Sequence, residues 1–596
     1  MQQYKNRAEI PEKYKWNLGD IFPTEQDWED AFIKLQQVLP QITQYKGKLN
    51  TKEVILDYFK KSDVLDVDVG KLYCYAMMSY NEDSQDATKQ ARFARIYGLL
   101  TQFSAMSAFV QPELSELSQE QLEEFIRDKD FADYDVTLKS LLRAKAHVLS
   151  EAEEKIYADA GGLTHYFSEV FNRLDSGDIQ FGSIKVDGKD VPLSHGAYSQ
   201  LLQHKDQSVR RDAFKTYYKG FIDKINTISG LYEGSVKSDW FYAKGHKFNS
   251  SMERALFNED VDKAVYDNLI EAIHSTFKPL HEYMQLRKDV MGVEELNMYD
   301  LYVPIFENAD ISCEYEEAVE IVKEGLKPLG EDYRAIMDTA FSSRWIDVCE
   351  TPTKRTGAYS MGVAGVHPYM LLNYQKTTHD IFTIAHEMGH SIHTYYSEKK
   401  QPIAKSGYKI FVAEVASTCN EVLLLNHLLA KEKDINVKKF LLSYYLDMLR
   451  TTMYRQAMFA EFEAIAHDLA EKGVPLTADK LNEEYYKLNQ TYYGPAVTHT
   501  EEIKYEWARI PHFYRAFYVY KYSTGIISAV CLAQKILKEG APAVEKYKEF
   551  LSLGGSMDPV SELKVAGVDL TTKEPFDVVA KSFEETLQQL KDLCKK

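Results

Sequence analysis

The segment around residue 386 constrains this chain more than any other part of it. His386 and His390 lie four positions apart and flank Glu387 in the run His-Glu-Met-Gly-His. Residues four apart lie on one face of an α-helix, so both imidazoles can reach a single cation. Glu387 then projects close enough to contact a bound water without being a ligand. The spacing predicts a helical zinc site that carries its own general base.

A catalytic zinc takes three protein ligands and leaves one position for water, so a third ligand is required. A metzincin would place Gly at 393 and His at 396, where this chain has His393 and Tyr396, so that subclass is excluded. Glu414 lies 24 residues past His390, in the apolar first turns of a second helical run. Burying an uncompensated carboxylate is costly, and a metal would compensate it. Glu414 is therefore the predicted third ligand.

Two further residues near the motif have more than one interpretation. Glu421 follows Glu414 by seven positions, so the two lie on nearly the same helix face. It could orient a ligand histidine through the second ring nitrogen, as metal-bound histidines usually require, or be an ordinary surface glutamate. His393 extends the first helix by less than a turn; it either supports the ligands or is a polar residue satisfied elsewhere.

The rest of the chain is predicted to be mainly α, because apolar residues recur three and four apart, as in the segment 122–126. Two places break this pattern. Residues 179–194 alternate around Asp187-Gly188 and predict a β-hairpin followed by a helix that opens near Ser194. Residues 354–374 are rich in glycine and β-favouring residues and predict a small two-stranded ribbon beside the zinc helix. The ribbon either pairs with an extended peptide or only covers the helix.

The length of the chain predicts more than one packed lobe, since 596 residues exceed what one hydrophobic core usually fills. Changes of pattern suggest three regions. The first, 1–110, is an N-terminal helical region, and the second, 111–195, is a helical region that ends in the hairpin. The third, 196–596, is the predicted catalytic zinc-peptidase domain.

Charge and cysteine content exclude several classes of partner and set the expected location. There are 90 acidic and 71 basic residues, a net charge of −19, which disfavours binding to nucleic acid or to an anionic membrane. The six cysteines are widely spaced and indicate reduced core residues rather than a disulfide framework. No segment reaches 18 uninterrupted apolar residues, and the N-terminus has no signal-peptide pattern. A cytoplasmic location is expected, and the oligomeric state is left open.

Several motifs together give the chain a specific resemblance. It resembles the thimet oligopeptidase (M3) family of zinc metallopeptidases, and most closely the bacterial oligoendopeptidase F branch. The resemblance implies a multi-helix, two-lobed protein with a deep central substrate channel, one zinc ion per chain and cleavage of short unfolded peptides. The motifs that carry it are Trp16-Asn-Leu-Gly-Asp-Ile-Phe, Lys354-Arg-Thr-Gly-Ala-Tyr-Ser, Pro368-Tyr-Met-Leu-Leu-Asn-Tyr, His386-Glu-Met-Gly-His-Ser-Ile-His, Phe411-Val-Ala-Glu-Val-Ala-Ser and Ile510-Pro-His-Phe-Tyr.

The same resemblance suggests residues that contact the substrate. In the family a histidine and downstream tyrosines bind substrate and stabilise the oxyanion, and His512 matches that histidine. If the segment is helical, Tyr514, Tyr518 and Tyr522 follow one another at four-residue spacing. Their offsets from the histidine differ from those of the animal-type members, so which tyrosine donates is left open. The alternative is aromatic packing along a helix.

The metal motif predicts hydrolysis by a zinc-activated water with Glu387 as general base, and the resemblance implies a metalloendopeptidase that cuts internal bonds of oligopeptides. One alternative is a zinc carboxypeptidase or dipeptidyl carboxypeptidase, in which Arg515 or Lys521 would capture the C-terminal carboxylate. A second is a non-catalytic helical binding protein that contains zinc. The intact Glu387 argues against the second, because a structural site does not need a base beside the water position.

Overall fold

A computed structural model describes residues 4–306 and 311–595. The fold is mainly α, as the periodicity predicts. The α-helices are α1 (Glu25–Val38), α2 (Lys52–Glu82), α3 (Ala87–Ser107), α4 (Val110–Glu116), α5 (Gln119–Arg127), α6 (Asp135–Ala144), α7 (Glu151–Thr164), α8 (Tyr166–Arg173), α9 (His195–Leu201), α10 (Gln207–Ile222), α11 (Ile225–Gly245), α12 (Ser251–Glu259), α13 (Lys263–Ser275), α14 (Phe277–Met291), α15 (Tyr315–Gly325), α16 (Glu331–Ser342), α17 (Thr378–Lys400), α18 (Ile403–Ser406), α19 (Ile410–Lys431), α20 (Ile435–Leu449), α21 (Arg455–Glu471), α22 (Ala478–Tyr493), α23 (Tyr520–Glu539), α24 (Ala541–Leu551), α25 (Pro559–Val565) and α26 (Glu574–Cys594). The strands are β1 (Ser183–Val186), β2 (Lys189–Pro192), β3 (Leu296–Asn297), β4 (Ile346–Asp347), β5 (Tyr359–Met361), β6 (Tyr369–Leu371) and β7 (Val497–Thr498).

The chain divides into two compact units, each assembled from three separate stretches of sequence. Unit 1 consists of Met1–Val148, Ile311–Leu428 and Leu532–Val568, and unit 2 of Leu149–Asp310, Leu429–Cys531 and Asp569–Lys596. More than one packed unit is what the chain length predicts. The sequence regions 1–110, 111–195 and 196–596 and the central channel stay predictions.

Unit 1 has a large apolar core that the helices α1 to α6 supply, together with side chains of the ribbon. Trp16 connects the two: its ring lies 6.4 Å from that of Tyr359 on β5 and 6.1 Å from that of Tyr369 on β6. Trp16 precedes α1, and its indole N–H donates to Glu82 at the end of α2, so these aromatic contacts connect the ribbon to the N-terminal helices. The N-terminal helices therefore support the ribbon.

The predicted ribbon exists and gains a third strand. The order is β4-β6-β5, with β5 antiparallel to β6 and β4 parallel to β6. Lys354 lies in the loop that connects β4 to β5 and forms a 2.7 Å ion pair with Asp347 of β4. Both side chains are almost fully buried. The Lys354 ammonium also donates to the carbonyls of Asp347, Cys349 and Leu372. Within the described residues β5 pairs only with β6, so its outer edge is free for another strand.

Unit 2 contains the predicted hairpin. Strands β1 and β2 pair antiparallel, and the two turn residues have positive φ, 51° at Asp187 and 78° at Gly188. Two left-handed residues are what a two-residue primed turn needs. Ser194 then caps α9 by accepting from the amide of Ala197, as expected. In neither described range, 4–306 or 311–595, is a helix long and apolar enough to cross a bilayer.

Candidate metal centre

The first element of the centre is α17, which carries both histidines. Thr377 and Asp380 form a reciprocal capping box that fixes where this helix begins. Its apolar residues, among them Ile384 and Met388, are fully buried. They leave His386 and His390 on a partly exposed face, where their rings lie 4.9 Å apart. Helical spacing alone therefore brings the two imidazoles together, as predicted.

The second element is α19, which brings Glu414 to the histidines. Oε2 of Glu414 lies 3.3 Å from Nε2 of His386 and 3.4 Å from Nε2 of His390. One ligand atom from each of the three residues lies within 4.8 Å of the ligand atoms of the other two. Ser417, one turn later on α19, donates to the Glu414 carboxylate at 3.1 Å and orients it. The structure thus assembles the three predicted ligands.

The two helices meet at Gly389, which lies inside the motif. A Cβ at this position would lie 2.6 Å from Cα of Ser417 and 2.7 Å from the carbonyl oxygen of Ala416. Those atoms are backbone of α19 and cannot rotate away. Glycine is thus the residue that permits this close approach, and the approach brings Glu414 within reach of His386.

Glu421 lies beside the histidines, as the sequence suggested. Its Oε1 is 2.6 Å from Nδ1 of His386, so the ring can donate its Nδ1 proton to a carboxylate. That hydrogen bond leaves the Nε2 lone pair of His386 facing Glu414. Metal-binding histidines are typically held by such a carboxylate.

The residues present fit a divalent metal in two respects. Ligand atoms about 2.0–2.1 Å from a tetrahedral zinc are separated by about 3.3 Å, close to the distances that Glu414 makes to the two imidazoles. The site also favours positive charge. Burial alone would lower the pKa of His386, but hydrogen bonds to Glu414 and Glu421 outweigh burial and raise it well above its usual value.

Glu387 has the burial expected of a general base. Its side chain is on α17 between the two histidines, and the residue is 6% exposed. Its Oε2 atom has no hydrogen-bond partner in the part of the chain that the structure describes. Burial raises the pKa of its carboxyl above the ordinary value. A buried, unbonded carboxylate oxygen beside a three-ligand cluster is suited to accept a proton from a water molecule there.

Sequence reasoning missed Asn420, which ties the two helices together. Its amide donates to the carbonyl of Ala385 on α17 at 3.0 Å, and its side-chain oxygen accepts from the Tyr333 hydroxyl on α16 at 3.1 Å. The residue is fully buried. An asparagine within the apolar run of α19 was the available signal, because a buried amide needs partners.

His393 packs behind the predicted ligands, against aromatic side chains. It is buried, and its ring stacks on that of Tyr408 at 3.7 Å with an interplanar angle of 4°. Burial lowers its pKa to about 3, so the ring is neutral. Its Nδ1 has no hydrogen-bond partner within residues 4–306 and 311–595. Neither interpretation describes this residue fully, since its ring packs against the loop that leads into α19 while Nδ1 is left without a partner there.

The segment 511–522 is not one helix, so the condition for a single row of tyrosines is not met. A short 3-10 turn, Pro511–Tyr514, is followed by an irregular stretch, and α23 begins only at Tyr520. The break lies at Phe517, whose φ of 53° is left-handed and incompatible with a continuing helix. Tyr514 therefore does not stand in one row with Tyr518 and Tyr522.

The four predicted substrate residues all belong to unit 2 and fall into two groups. His512, Tyr518 and Tyr522 form one cluster: the Tyr522 hydroxyl is 3.4 Å from Nε2 of His512, and the tyrosine rings are 5.5 Å apart. Tyr514 instead stacks on Phe171 at 4.4 Å. Its buried hydroxyl has no partner among the residues described.

Comparison with known families places this site in context. The model of peptidase family M3 matches residues 200–580, and that of the oligopeptidase F N-terminal family matches residues 113–181. The first match alone covers more than half of the chain. The chain belongs to peptidase family M3. This M3 protein is therefore a metallopeptidase, in agreement with the resemblance that the motifs carry.

Relatives extend the match over the full length. Oligopeptidase PepF of Bacillus subtilis is 39% identical over 100% of this chain and 89% of its own. An oligoendopeptidase F homologue of Lactococcus lactis is 37% identical over 99% of each chain. These relatives support the oligoendopeptidase F branch of the M3 family.

Solved structures agree with the fold. A peptidase-like protein of Chlamydophila abortus superposes with a TM-score of 0.93 at 33% identity, over 99% of this chain and 100% of its own. Oligoendopeptidase-F of Enterococcus faecium has a TM-score of 0.75 at 34% identity, over 96% of this chain and 99% of its own. The mainly helical M3 architecture is thereby confirmed.

Proposed function

We propose that the protein is a zinc-dependent endopeptidase that hydrolyses internal bonds of short, unfolded peptides. His386, His390 and Glu414 hold one zinc ion per chain. The observation that carries the proposal is the position of Glu387, a buried carboxylate next to these three ligands, one oxygen of which has no hydrogen-bond partner among the described residues. The names of the relatives, oligopeptidase and oligoendopeptidase, support short peptides as substrates and cleavage within them.

Each residue of the centre has a separate role in the proposed reaction. When bound, the zinc ion supplies a Lewis acid that polarises a water molecule and the scissile carbonyl. Glu387 accepts the proton of the attacking water and later delivers it to the departing amine. Glu421 keeps His386 in the tautomer whose Nε2 is a ligand.

We assign substrate binding and oxyanion stabilisation to the cluster in unit 2. A hydrogen-bond donor fixed near a developing negative charge is worth a large rate factor. His512, Tyr518 and Tyr522 lie together, which supports them as donors. The buried stacking of Tyr514 on Phe171 supports packing as its main role.

The edge strand β5 is the proposed place where the peptide backbone pairs. Pairing of this kind uses main-chain hydrogen bonds and makes few demands on side chains. The hydroxyls of Ser360 on β5 and Ser391 on α17 are 2.8 Å apart, and this hydrogen bond holds the ribbon against the zinc helix. A broad sequence preference follows.

Contacts in unit 2 favour endopeptidase action over the carboxypeptidase alternative. Lys521 is 7% exposed and forms a 2.5 Å ion pair with Glu259, so its charge is already compensated. The Arg515 guanidinium lies over the ring of Tyr518 at 4.2 Å. An exopeptidase needs a fixed cation without a counter-charge to bind the terminal carboxylate. Lys521 does not meet that need, because Glu259 already pairs with it.

We also propose a cytoplasmic location without nucleic-acid or membrane partners. None of the six cysteines, all of which lie in the described residues, forms a disulfide, as expected where thiols are kept reduced. The net charge of −19 opposes association with phosphate backbones and anionic lipids. Cell fractionation with detection of the tagged chain tests this, and recovery with the membrane or secreted fraction would contradict it.

A peptide of about ten residues, acetylated at the N-terminus and amidated at the C-terminus, tests the main proposal. Mass spectrometry should show internal cleavage that a zinc chelator stops and added zinc restores. Elemental analysis should find one zinc per chain. The matched control is Glu387→Gln, which should bind zinc and leave the peptide whole. Cleavage only of peptides with a free C-terminus would establish the carboxypeptidase alternative instead.

A further inference from the structure

Unit 2 contains a buried carboxylate that the proposed reaction does not use. Glu463 on α21 is 1% exposed. Its Oε1 accepts a 2.6 Å hydrogen bond from the amide N–H of Phe517. Its Oε2 has no partner within the described ranges of the chain. Burial raises the pKa of this carboxyl to about 8, partly offset by His467. Burying a carboxyl group with one oxygen unbonded lowers the stability of the fold, so a specific role is expected for Glu463.

The amide that Glu463 accepts from belongs to the break in the 511–522 segment. Phe517 has a φ of 53°, a left-handed conformation that is unfavourable for a residue with a side chain. His512 precedes this turn and Tyr518 follows it directly. The backbone direction at Phe517 therefore determines how the histidine and the tyrosines face each other.

A second residue of α21 holds the side chain of Phe517. The ring of His467, one turn after Glu463, lies 4.7 Å from the Phe517 ring. His467 Nδ1 is 2.8 Å from the Glu463 carbonyl oxygen, and Nε2 is 3.2 Å from Oδ2 of Asp239. Both nitrogens face acceptors, as in a charged imidazolium. The same helix therefore secures both the amide and the ring of Phe517.

We propose that Glu463 is a positioning residue for peptide hydrolysis. Its hydrogen bond to the Phe517 amide fixes the left-handed turn and so holds His512, Tyr518 and Tyr522 in one cluster. A strained backbone conformation persists only where surrounding contacts enforce it, and here the enforcing contact is a buried acceptor. This inference rests on the proposed function of that cluster.

Variants at position 463 separate the hydrogen bond from the charge. Glu463→Gln keeps an oxygen that can accept from Phe517, so kcat and KM should stay within about threefold of wild type. Glu463→Met fills similar space but offers no comparable acceptor. We expect kcat/KM to fall about 10- to 100-fold, mainly through kcat, because misplacing catalytic groups costs that much. Zinc content should not change.

Glu463→Asp tests the same hydrogen bond if the Glu463→Met variant does not fold. It keeps the carboxylate but shortens the side chain by one methylene, so the oxygen no longer reaches the Phe517 amide. The same loss of kcat is expected. Glu461→Gln, two positions away on α21, is the matched control, since Glu461 bonds His274 and Tyr492 instead. It should leave kcat/KM unchanged.

A double-mutant cycle decides whether Glu463 acts through the cluster. In a His512→Ala background, Glu463→Met should reduce kcat/KM by no more than about threefold further. Deuterium exchange of residues 513–522 should be faster in the single variant than in wild type. Full wild-type kcat/KM in Glu463→Met, or losses that multiply in the double variant, would overturn the inference. A wild-type protein that cleaves no peptide would instead refute the proposed function.

Discussion

Nδ1 of His386 and Oε1 of Glu421 lie 2.6 Å apart, and this hydrogen bond joins α17 to α19 at the metal centre itself. Helix α19 thus supplies both a proposed ligand, Glu414, and the residue that orients another ligand. Because Glu414 and Glu421 lie seven residues apart on nearly one helix face, a single packing arrangement places both. The metal centre and the contact between these helices are one structural feature.

Replacing Glu421 with alanine should weaken zinc binding about 10- to 100-fold, since the imidazole loses the partner that fixes its tautomer. Competition against a zinc chelator of known affinity measures the effect. Glu421→Gln is the matched control, because its amide oxygen still accepts from Nδ1 and the loss should be smaller. Wild-type affinity in the alanine variant would mean that Glu421 does not support the ligand.

Replacing Glu387 with glutamine should lower kcat by about 10²- to 10⁴-fold or more while the zinc content stays at one per chain. The change removes the proton acceptor and leaves His386, His390 and Glu414 intact. Glu398→Gln, three turns further along α17, makes the same carboxyl-to-amide substitution and should keep normal kcat. Substantial turnover by the Glu387 variant would assign the base to another residue.

The part of the centre that depends on periodicity could be predicted from the sequence. The four-residue spacing of His386 and His390 places both rings on one face in any α-helix. Glu414 could be found because a carboxylate within an apolar run needs a counter-charge. Asn420 could not be given a role, since its hydrogen bond to Ala385 depends on which helix lies opposite. Strand β4 was missed for the same reason, because two residues form a strand only beside a partner.

The tyrosines after His512 show where spacing misleads. Tyr514, Tyr518 and Tyr522 have helical spacing, yet the left-handed turn at Phe517 interrupts the helix. Nothing in the local sequence marks that turn, because phenylalanine does not favour positive φ. Two residues of a distant helix, Glu463 and His467, hold it. Tertiary contacts here override the local pattern.

The imidazole of His512 should titrate below the usual pH for histidine. Burial lowers its pKa first, and the positive charge of Arg515 lowers it further. Arg515→Gln should therefore raise the pKa and shift the titration midpoint to higher pH. NMR of ¹³C-labelled histidine measures the midpoint, with His512→Asn to assign the signal.

The activity profile should follow the same direction. If neutral His512 is the active form, activity falls as pH drops through its pKa, so Arg515→Gln moves the acid limb to higher pH. Arg515→Lys keeps the positive charge and should leave both midpoints nearly in place. A midpoint that does not respond to Arg515→Gln would show that the arginine does not affect the imidazole.

Gly389→Ala should disrupt the metal centre without changing any ligand. The new methyl group would lie 2.6 Å from Cα of Ser417, so α19 must move away and take Glu414 with it. We expect at least about tenfold weaker zinc binding, and overpacking of this kind lowers the free energy of unfolding by about 1–3 kcal/mol.

Gly98→Ala in α3 is the control. Among the residues described, no heavy atom outside the local backbone lies within 4 Å of its added Cβ, and this exposed helical site should gain about 0.5–1 kcal/mol. Chelator competition and thermal unfolding of both variants measure the difference, and unchanged zinc affinity in Gly389→Ala would show that the helix contact does not set the position of Glu414.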